Sequence, residues 1–493
     1  MVLGELAAAI GLNAPAGTAA IPIHGLAFDS RAVRPGTLFA ALPGSHVDGR
    51  RFIAEAVAAG AAAILSAPGM AWPNGVPTRP LLLHDVPAQA LAVLAAVQAG
   101  AQPARIVAVT GTNGKTSTAE FLRQFWQMAD IPAASLGTLG VISPVALQET
   151  GPALTTPDSI ALARMLAELA RAGVQAASIE ASSHGLSQYR LDGVQIQAAG
   201  FSNLTRDHLD YHGTLDDYRR AKLRLFDTLL PEGGLAVANA DMDAGTLAAL
   251  TGITRRRGHI LRLVGERGDA IRLVRTRPLP DGQILEVEAL GRLHDIRLAL
   301  PGRFQADNVL LAAALAYPAL DMLERTLQSA SRLTGVRGRM ERAARLPGNA
   351  AAYVDYAHTP DALARLLESL RPHTAGRLVV VFGAGGDRDR GKRPLMGQVA
   401  AGLSDLAIVT DDNPRSESPA AIRAEILAAC PGAVEIGDRT AAIAAGLDAL
   451  RPGDVLVVAG KGHELGQTIA GVTYPFDDRA VIRRLAGAEE IAP

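Results

Sequence analysis

A glycine-rich loop containing a lysine and hydroxyl residues lies in the first third of the chain. It follows a predicted strand over 106–110 and precedes a predicted helix over 119–128, and it reads Gly111-Thr112-Asn113-Gly114-Lys115-Thr116-Ser117. Glycines let a backbone curl around phosphate, and a helix N-terminus offers free N–H groups. Lys115 supplies positive charge, and Thr116 can reach a magnesium ion. Although Val109 replaces the first glycine of the general pattern, the loop predicts a nucleoside triphosphate site rather than an ordinary turn.

Other charged residues follow further predicted strands. Glu180 stands at a strand end, and its carboxylate is a hard oxygen ligand that suits magnesium. His208 lies in a polar loop, where a lone histidine is more often a hydrogen-bonded structural residue than a ligand. The last third of the chain has charged loops at 383–394, 411–417 and 460–464. Taken alone, the first of these loops is either a solvated loop or an anion-binding nest.

The elements that must position these residues alternate between helix and strand. Helical spacing runs over 159–172, and short apolar strands are predicted at 177–179, 235–238, 352–354, 378–382, 406–410 and 455–459. An alanine-rich run over 54–63 is interpreted as buried helix. This alternation favours parallel α/β sheets. Ligands of such sheets gather in the loops after the carboxyl ends of the strands, which is where the charged residues lie.

Length and composition indicate three folded domains. The 493 residues exceed one hydrophobic core, at about 150 residues per domain. Hydrophobic residues make up 48% and charged residues 20%, which excludes extended disorder. Segments at 99–103 and 334–338 contain glycine or proline between predicted elements. We therefore expect domains over 1–102, 103–335 and 336–493.

Charge and cysteine content restrict the environment and the partners. The formal net charge of −1 gives no global field to attract nucleic acid or an anionic membrane. The single cysteine, Cys430, cannot form an intramolecular disulfide and is interpreted as a core residue. Neither a signal-like N-terminus nor an apolar stretch of roughly 18 residues is visible. The sequence predicts a cytoplasmic protein without membrane insertion.

The variant Gly-Thr-Asn-Gly-Lys-Thr resembles the phosphate loop of the Mur ligases, and further motifs extend the resemblance over nearly the whole chain. In the central part these motifs lie at 154–157, 180–186, 203–210 and 218–222. Their order is similar to that of the MurE branch. The resemblance implies an α/β, three-domain architecture. A UDP-binding N-terminal domain precedes a central P-loop ATPase domain and a Rossmann-like C-terminal domain that binds an amino acid.

The resemblance assigns roles around ATP and magnesium. Besides the phosphate loop it places four residues near ATP, namely Asn308, Arg339, Asp355 and His358. It implies magnesium ligands at Thr116, Glu180, His208 and Lys222, and catalytic roles for Lys115, Lys222 and His208. Lys222 resembles a lysine that carries a CO2-derived carbamate, which turns a cation into an anion. The segment 304–308 departs from the family form because Gln305 replaces an asparagine.

The resemblance also assigns the UDP-linked dipeptide, and the residue types fit a sugar, a peptide and a pyrophosphate. In the first domain the matching positions are Phe28, Ser30, Ser45, His46 and Val47. In the central domain they are Thr155, Thr156, Ser182, Gln188 and Arg190. The distribution of these groups and the ATP residues implies closure of one domain upon another.

Loops of the third domain resemble a site for diaminopimelate. The matching residues are Arg388, Asp412, Asn413, Pro414, Arg415, Gly460 and Glu464. Within the Asp-Asn-Pro-Arg tetrapeptide, Arg415 can pair with the distal carboxylate that distinguishes diaminopimelate from lysine. Glu464 attracts an ammonium group and Arg388 a carboxylate, a combination that suits a zwitterion.

The implied activity is ATP-dependent ligation of meso-2,6-diaminopimelate to UDP-N-acetylmuramoyl-L-alanyl-D-glutamate through an acyl phosphate, in peptidoglycan synthesis. Two alternatives within the same class are a lysine-adding enzyme and another Mur-like ligase, including folylpolyglutamate synthetase relatives. A third is a nucleotide-dependent binding protein that has lost ligation. Because one chain supplies all three predicted sites, we expect a monomer.

Overall fold

A computed structural model describes residues 1–44, 47–147 and 154–487 of the chain. The chain forms two compact units. Unit 1 comprises 1–270 and 311–321, and unit 2 comprises 271–310 and 322–493, as far as these ranges are described. No helix in the described part of the chain is both long and apolar enough to cross a membrane.

The beginning of unit 1 is a parallel four-stranded sheet. Its strands, in sheet order, are β1 (Gly25–Ala27), β2 (Thr37–Ala40), β3 (Ala61–Ser66) and β4 (Leu81–Leu83). The helices of this part are α1 (Leu3–Ala9), α2 (Ile53–Ala58) and α3 (Pro87–Ala99). The predicted buried helix over 54–63 is therefore wrong in its second half, because the alanines from Ala61 onward lie in β3. Their small apolar side chains suit a strand buried on both faces as well as a helix.

The rest of unit 1 is built on a larger sheet. Its strands are β5 (Arg105–Thr110), β6 (Ala133–Gly137), β7 (Gly140–Ile142), β8 (Ala176–Glu180), β9 (Ala198–Phe201), β10 (Leu235–Asn239) and β11 (Ile260–Gly265). Their order is β11-β10-β9-β5-β8-β6-β7, and every pairing is parallel except the short β6–β7 pair. The helices are α4 (Lys115–Gln127), α5 (Ser159–Arg171), α6 (Ser183–Ser187), α7 (Leu209–His212), α8 (Leu215–Arg224) and α9 (Ala244–Arg257).

The strand that precedes the phosphate loop is packed in the core of this sheet. Ile106 and Ala108 of β5 and Ala177 and Ile179 of β8 are completely buried, in one cluster with Leu166 of α5. Apolar runs of this kind are expected for strands covered on both faces. The predicted strands at 106–110, 177–179 and 235–238 are confirmed as β5, β8 and β10.

Unit 2 begins with three antiparallel strands that the sequence did not predict, namely β12 (Ile271–Leu279), β13 (Gly282–Ala289) and β14 (Arg292–Leu298). The chain continues through α10 (Arg303–Leu315), which extends into unit 1, and returns with α11 (Leu323–Ser329). Short 3₁₀ turns occur at Ser30–Ala32, Gly49–Phe52, Leu320–Met322, Ala330–Arg332, Pro347–Asn349 and Arg371–His373, and a π-helical turn at Leu225–Leu229.

A six-stranded sheet forms the remainder of unit 2. Its strands are β15 (Glu341–Leu346), β16 (Ala350–Asp355), β17 (Leu378–Phe382), β18 (Leu406–Val409), β19 (Val434–Glu435) and β20 (Val455–Ala459). The order is β15-β16-β20-β17-β18-β19, with β15 alone antiparallel, and a hairpin of β21 (Gly466–Ile469) and β22 (Val472–Pro475) follows. The helices are α12 (Pro360–Leu370), α13 (Lys392–Leu403), α14 (Pro419–Leu427), α15 (Arg439–Asp448) and α16 (Asp478–Ala486). The four strands predicted here are confirmed as β16, β17, β18 and β20.

Candidate active site

The glycine-rich loop connects β5 to α4, as the sequence predicts. A Cβ at Gly111 would lie 1.9 Å from the Ser202 hydroxyl oxygen, so only glycine fits there. Gly114 has a φ of +87° and precedes the first residue of α4, Lys115. Thr116 and Ser117 are buried in the first turn of that helix. The geometry is that of a loop whose main-chain N–H groups can surround a phosphate.

Two lysines converge on one carbonyl of this loop. The Lys115 ammonium donates to the Gly111 and Thr112 oxygens at 2.9 and 2.8 Å, and the Lys222 ammonium donates to the Gly111 oxygen at 2.7 Å. Lys222 is only 1% exposed, and its ammonium lies 4.4 Å from the centre of the Tyr218 ring. Burial, reinforced by Lys115, lowers the pKa of Lys222 well below its ordinary value. The neutral form of the Lys222 amine is therefore favoured more than in an exposed lysine.

Glu180 ends β8 and is held by Thr138. One Glu180 carboxylate oxygen accepts from the Thr138 main-chain N–H at 2.7 Å, and the other accepts from its hydroxyl at 3.2 Å. The Thr138 hydroxyl also lies 3.1 Å from that of Thr155. Glu180 as a whole is only 2% exposed, and a Cβ at Gly137 would collide with its carboxylate. This fixed orientation suits a group that must meet a ligand or a metal.

Five predicted dipeptide-binding residues form one hydrogen-bonded group with Glu180. The Thr156 hydroxyl donates to the Glu180 main-chain oxygen at 2.7 Å and lies 2.9 Å from the Ser182 hydroxyl. Arg190 donates to the Thr156 main-chain oxygen and to the Gln188 side-chain oxygen, both at 2.6 Å. Thr155 joins the group through Thr138. The structure therefore brings together the five dipeptide-binding residues that were predicted in the central part of the chain.

His208 stands apart from this group, in a cluster of aromatic and imidazole rings. It has a left-handed backbone (φ +52°), and its ring centre lies 4.9 Å from that of His184. Tyr211 and His212 pack beside His184. Burial first, and then His208, lower the pKa of His184 to about 4. The ring cluster gives His208 a structural environment, and its catalytic role remains a prediction.

The donor set fits magnesium better than a metal held entirely by protein. In the described ranges, no group of three or more His, Cys, Asp or Glu side chains is placed to hold a metal ion. Magnesium is usually bound through one or two carboxylates, substrate phosphates and water. Glu180 and the Thr116 hydroxyl beside the phosphate loop match that requirement, whereas zinc would need more protein ligands.

The predicted uridine-binding residues lie around β1 and β2. Phe28 is 43% exposed, Ser30 is buried at the start of a 3₁₀ turn, and Val47 is exposed. Ser45 and His46 lie outside the described residues. The neighbouring Asp29 caps the Ser30 turn and pairs with the Arg31 guanidinium, which holds the pKa of Asp29 below its ordinary value. An exposed aromatic ring beside a buried hydroxyl is a suitable surface for a nucleoside.

In unit 2 the carboxyl ends of neighbouring strands bring four functional loops together. Asp355 ends β16, Gly460 follows β20, Gly383 follows β17, and the turn containing Asp412 follows β18. These strands are adjacent and parallel. Gly386 donates from its main-chain N–H to the Asn413 oxygen at 2.9 Å. The predicted amino-acid site thus lies along the carboxyl ends of these four strands, which we call the amino-acid edge of the sheet.

Three of the four predicted ATP residues of unit 2, Asn308, Arg339 and His358, are connected through Gln305 and Tyr356, which were not predicted as ligands. Gln305 accepts from the Asn308 amide at 3.4 Å and donates to the Arg339 main-chain oxygen at 3.2 Å. The residue that departs from the family form therefore links two predicted ligands. Tyr356 lies beneath the Arg339 guanidinium, 4.6 Å from ring centre to carbon, and its ring packs 4.6 Å from that of His358.

Asp355 and His358 are constrained by their own surroundings. Asp355 accepts from the main-chain N–H groups of Met340 and Ala357 at 2.6 and 2.8 Å. Burial nevertheless raises the pKa of Asp355. The Nδ1 atom of His358 lies 2.9 Å from the Tyr356 main-chain oxygen, and burial lowers the pKa of His358. Lys392, a residue that was not singled out from the sequence, donates to the His358 main-chain oxygen at 2.9 Å.

The arginines at the amino-acid edge fall into two groups. Arg390, Arg393 and Arg423 each form ion pairs with Glu or Asp side chains. Arg388 and Arg415 have no carboxylate within ion-pair distance in the described part of the chain. Arg415 donates to the Gly386 oxygen at 2.7 Å, and Arg388 is exposed. The two arginines predicted to receive substrate carboxylates are therefore those that have no internal carboxylate partner.

The acidic part of the edge contains Asp412, Asn413 and Glu464. Asp412 and Asn413 are buried, and the Asn413 amide donates to a Glu464 carboxylate oxygen at 2.9 Å. Gly460 (φ +120°) lies close to Asp412, with a hypothetical Cβ 3.0 Å from its carboxylate. Pro414 is buried within the same turn. Burial raises the pKa of Glu464, while Asn413, Lys461 and Arg415 oppose this shift.

These sites and folds define a ligase of the Mur family, and three family models match the chain in order. They are "Mur ligase family, catalytic domain" over 22–99, "Mur ligase middle domain" over 109–316 and "Mur ligase, glutamate ligase domain" over 338–462. The chain belongs to the Mur ligase family, and the predicted three-domain α/β architecture is confirmed. The exact domain bounds remain a prediction.

Similar proteins share one name. The chain is 54% identical over 472 residues to the UDP-N-acetylmuramoyl-L-alanyl-D-glutamate–2,6-diaminopimelate ligase of Caulobacter vibrioides, covering 95% of this chain and 96% of the relative. It is 50% identical to the Rhizobium meliloti protein of that name, covering 95% of each chain. A solved structure of a ligase with this name is similar with a TM-score of 0.73 and 33% identity, over 99% of both chains.

Proposed function

We propose that the protein joins meso-2,6-diaminopimelate to UDP-N-acetylmuramoyl-L-alanyl-D-glutamate with consumption of ATP, in peptidoglycan synthesis. It thereby serves cell-wall biogenesis, cell shape and cell division. The observation that carries the choice of amino acid is that Arg388 and Arg415 have no carboxylate within ion-pair distance in the described part of the chain, while Glu464 offers a carboxylate on a neighbouring loop. A substrate with two carboxylates and an ammonium group complements this set of charges. The shared name of the similar ligases supports the same substrate.

The terminal carboxylate of the UDP-linked dipeptide attacks the γ-phosphate of ATP, and ADP leaves. An amine of diaminopimelate then attacks the acyl phosphate, loses a proton and expels phosphate. Lys115 and the main-chain N–H groups of the phosphate loop neutralise charge on the phosphates. Thr155, Thr156, Ser182, Gln188 and Arg190 orient the dipeptide, together with Phe28, Ser30, Ser45, His46 and Val47 at the uridine end. No nucleophilic side chain is required.

Magnesium would bind at the phosphate loop through Thr116 and Glu180, with His208 and a modified Lys222 completing the set. The metal supplies neutralisation of phosphate charge. The Lys222 amine attacks CO2 and releases one proton, so the side chain becomes an anionic carbamate. The burial of Lys222, which forms no ion pair with a carboxylate in the described part of the chain, supports this step because it favours the neutral amine that reacts.

ATP is also proposed to contact Asn308, Arg339, Asp355 and His358, so its proposed ligands come from both the central and the C-terminal domain. We therefore propose that catalysis includes domain closure. The proposed domains are 1–102, 103–335 and 336–493, in a monomer that acts in the cytoplasm, where ATP and nucleotide-linked sugars are available.

The decisive experiment supplies the purified chain with ATP, magnesium and the UDP-linked dipeptide, and measures ADP and ligated product with each candidate amino acid. Ligation of diaminopimelate in preference to lysine supports the proposal. Preference for lysine would identify a lysine-adding enzyme. Binding of ATP without product from any amino acid would instead identify a nucleotide-dependent binding protein.

A further inference from the structure

Lysine is used sparingly in this chain. Only four of its 48 Lys and Arg residues are lysines, namely Lys115, Lys222, Lys392 and Lys461. None of the four belongs to the exposed class, although lysine is ordinarily a surface residue. Arginine occupies the other Lys and Arg positions, and it differs from lysine in carrying a planar guanidinium in place of a compact ammonium group. Lys115 and Lys222 already have proposed roles at the phosphate loop, which leaves the two lysines of unit 2.

Lys461 is the more deeply placed of these two. Its side chain is fully buried, at 0% exposure. Its ammonium group donates to the Asn413 side-chain oxygen at 2.9 Å and to the Gly466 main-chain oxygen at 2.8 Å, and it lies 3.4 Å from an Asp412 carboxylate oxygen. A buried ammonium needs such partners to offset the loss of water. The contacts join the turn after β18 to the loop after β20.

The Lys461 contact determines how the Asn413 amide is oriented. The Asn413 side-chain oxygen accepts from Lys461 and also from the Thr468 main-chain N–H, at 2.9 and 3.0 Å. An ammonium group can only donate, so the amide oxygen must face it and the amide nitrogen must face the other way. That nitrogen donates to Glu464 at 2.9 Å. The orientation of one carboxylate oxygen of Glu464 is thus set from Lys461, whose ammonium also lies 3.8 Å from that oxygen. The other carboxylate oxygen accepts no hydrogen bond from the described part of the chain.

We propose that Lys461 is a positioning residue for the amino-acid site, whose ammonium group orients Asn413 and through it the Glu464 carboxylate that receives the substrate ammonium. This role rests on the proposed function and extends it to a residue that does not itself touch the substrate. Lys461 also holds Gly466, the first residue of β21. The same strand accepts the Arg415 main-chain N–H at Thr468, so one lysine supports both the acidic and the basic side of the site.

The charge balance around Glu464 gives the role a distinctive consequence. The charged or titratable groups that act on it are Asp412, Lys461, Arg415, Tyr356 and Arg439. Burial and Asp412 raise the pKa of Glu464, whereas Asn413, Lys461 and Arg415 lower it. Without the Lys461 charge the carboxyl group would keep its proton to a higher pH. As the pH falls, binding of the substrate ammonium would then be lost at a higher pH than in the wild type.

The test compares Lys461→Met with the wild type by steady-state kinetics over a range of pH. The KM for diaminopimelate should rise about tenfold to hundredfold, the effect of one charge-assisted contact, while the KM values for ATP and the UDP-linked dipeptide stay within about twofold. The acid limb of the KM profile for diaminopimelate should move to higher pH. Lys461→Gln, which keeps a polar donor without the charge, is measured as well and replaces the Met variant if that variant does not fold.

Arg262→Met is the matched control, because it removes a buried cation in unit 1 that donates to the Ala314, Tyr317 and Pro318 oxygens. General destabilisation would affect all substrates in both variants and leave the acid limb in place. An unchanged KM and acid limb in folded Lys461 variants, with an active wild type, would overturn the positioning role alone. A wild type that ligates no diaminopimelate would overturn the proposed function and this role with it.

Discussion

Replacing Arg415 by alanine removes a guanidinium that has no carboxylate partner in the described part of the chain. Arg415 has a left-handed backbone, with a φ of +53°. Alanine also carries a Cβ and bears the same strain in this conformation, so the substitution should affect the backbone little. Its main-chain hydrogen bonds with Thr468 and Ala470 can also remain. The internal contact that is lost is the one to the Gly386 oxygen, at 2.7 Å. The substitution therefore tests the side chain with limited disturbance of the turn.

The expected loss is selective for diaminopimelate. A hydrogen bond to a charged group contributes roughly 1.5 to 3 kcal/mol, which corresponds to an apparent affinity lower by about tenfold to hundredfold. The KM values for ATP and the UDP-linked dipeptide should hardly change. Lysine has no distal carboxylate. Its ligation, which we expect to be weak in the wild type, should therefore fall comparatively little in Arg415→Ala.

Arg390→Ala is the matched control for this measurement. Arg390 lies in the loop before α13 and already pairs with Glu425, so its removal should leave the preference between amino acids unchanged. We would measure ligation of both amino acids, together with the melting temperature, for the three proteins. Equal losses for lysine and diaminopimelate in Arg415→Ala would show that the arginine only braces its loop. The assignment of diaminopimelate specificity to Arg415 would then be wrong.

Three further predictions concern the phosphate loop and a buried ion pair. Lys115→Ala should abolish ligation at saturating ATP while the circular dichroism spectrum stays native; near-normal product formation would exclude the loop as the triphosphate site. Lys222→Ala should strongly reduce turnover and bicarbonate should affect the wild-type rate, so full activity of this variant would contradict the carbamate. Asp478→Asn leaves the fully buried Arg439 without its carboxylate and should cost about 3–5 kcal/mol in urea denaturation. The exposed pair of Arg365 and Asp361 provides the comparison, and Asp361→Asn should cost less than about 1 kcal/mol.

Features that depend on neighbouring residues in sequence could be predicted well. The strand, the glycine loop and the helix that form the phosphate site are consecutive, and β5 and α4 have the expected places. The parallel strands of unit 2 were visible as apolar runs, and the rule for their carboxyl ends located the charged loops correctly. The alanine run at 54–63 was misinterpreted because alanine patterns do not separate a short helix from a buried strand. The antiparallel strands β12 to β14 also went unpredicted.

Features that depend on contacts between distant residues could not be predicted. Lys461 and Asn413 are 48 positions apart, and only the fold shows that one orients the other. Gln305 departs from the family form in the sequence, yet in the structure it bridges Asn308 to the Arg339 backbone. The scarcity of lysine was the signal in the sequence that could have directed attention to Lys461. Scarcity identifies a residue of interest but does not assign its partner.

The number of donors that a cation uses separates Arg262, a bracing cation, from Lys222 and Arg415, which are proposed to serve ligands. Arg262 also pairs with no carboxylate of the described residues, but it donates to three carbonyls at and beyond the end of α10, where unpaired carbonyls are expected. Lys222 and Arg415 each donate to one carbonyl in the described structure, although an ammonium has three donors and a guanidinium five. Their remaining donors must be satisfied by water, by a ligand or, for Lys222, by loss of charge. Lys222 is buried, so loss of its charge through modification accounts best for its unused donors. Arg415 is only partly buried, so binding of a substrate accounts best for the unused donors of its guanidinium.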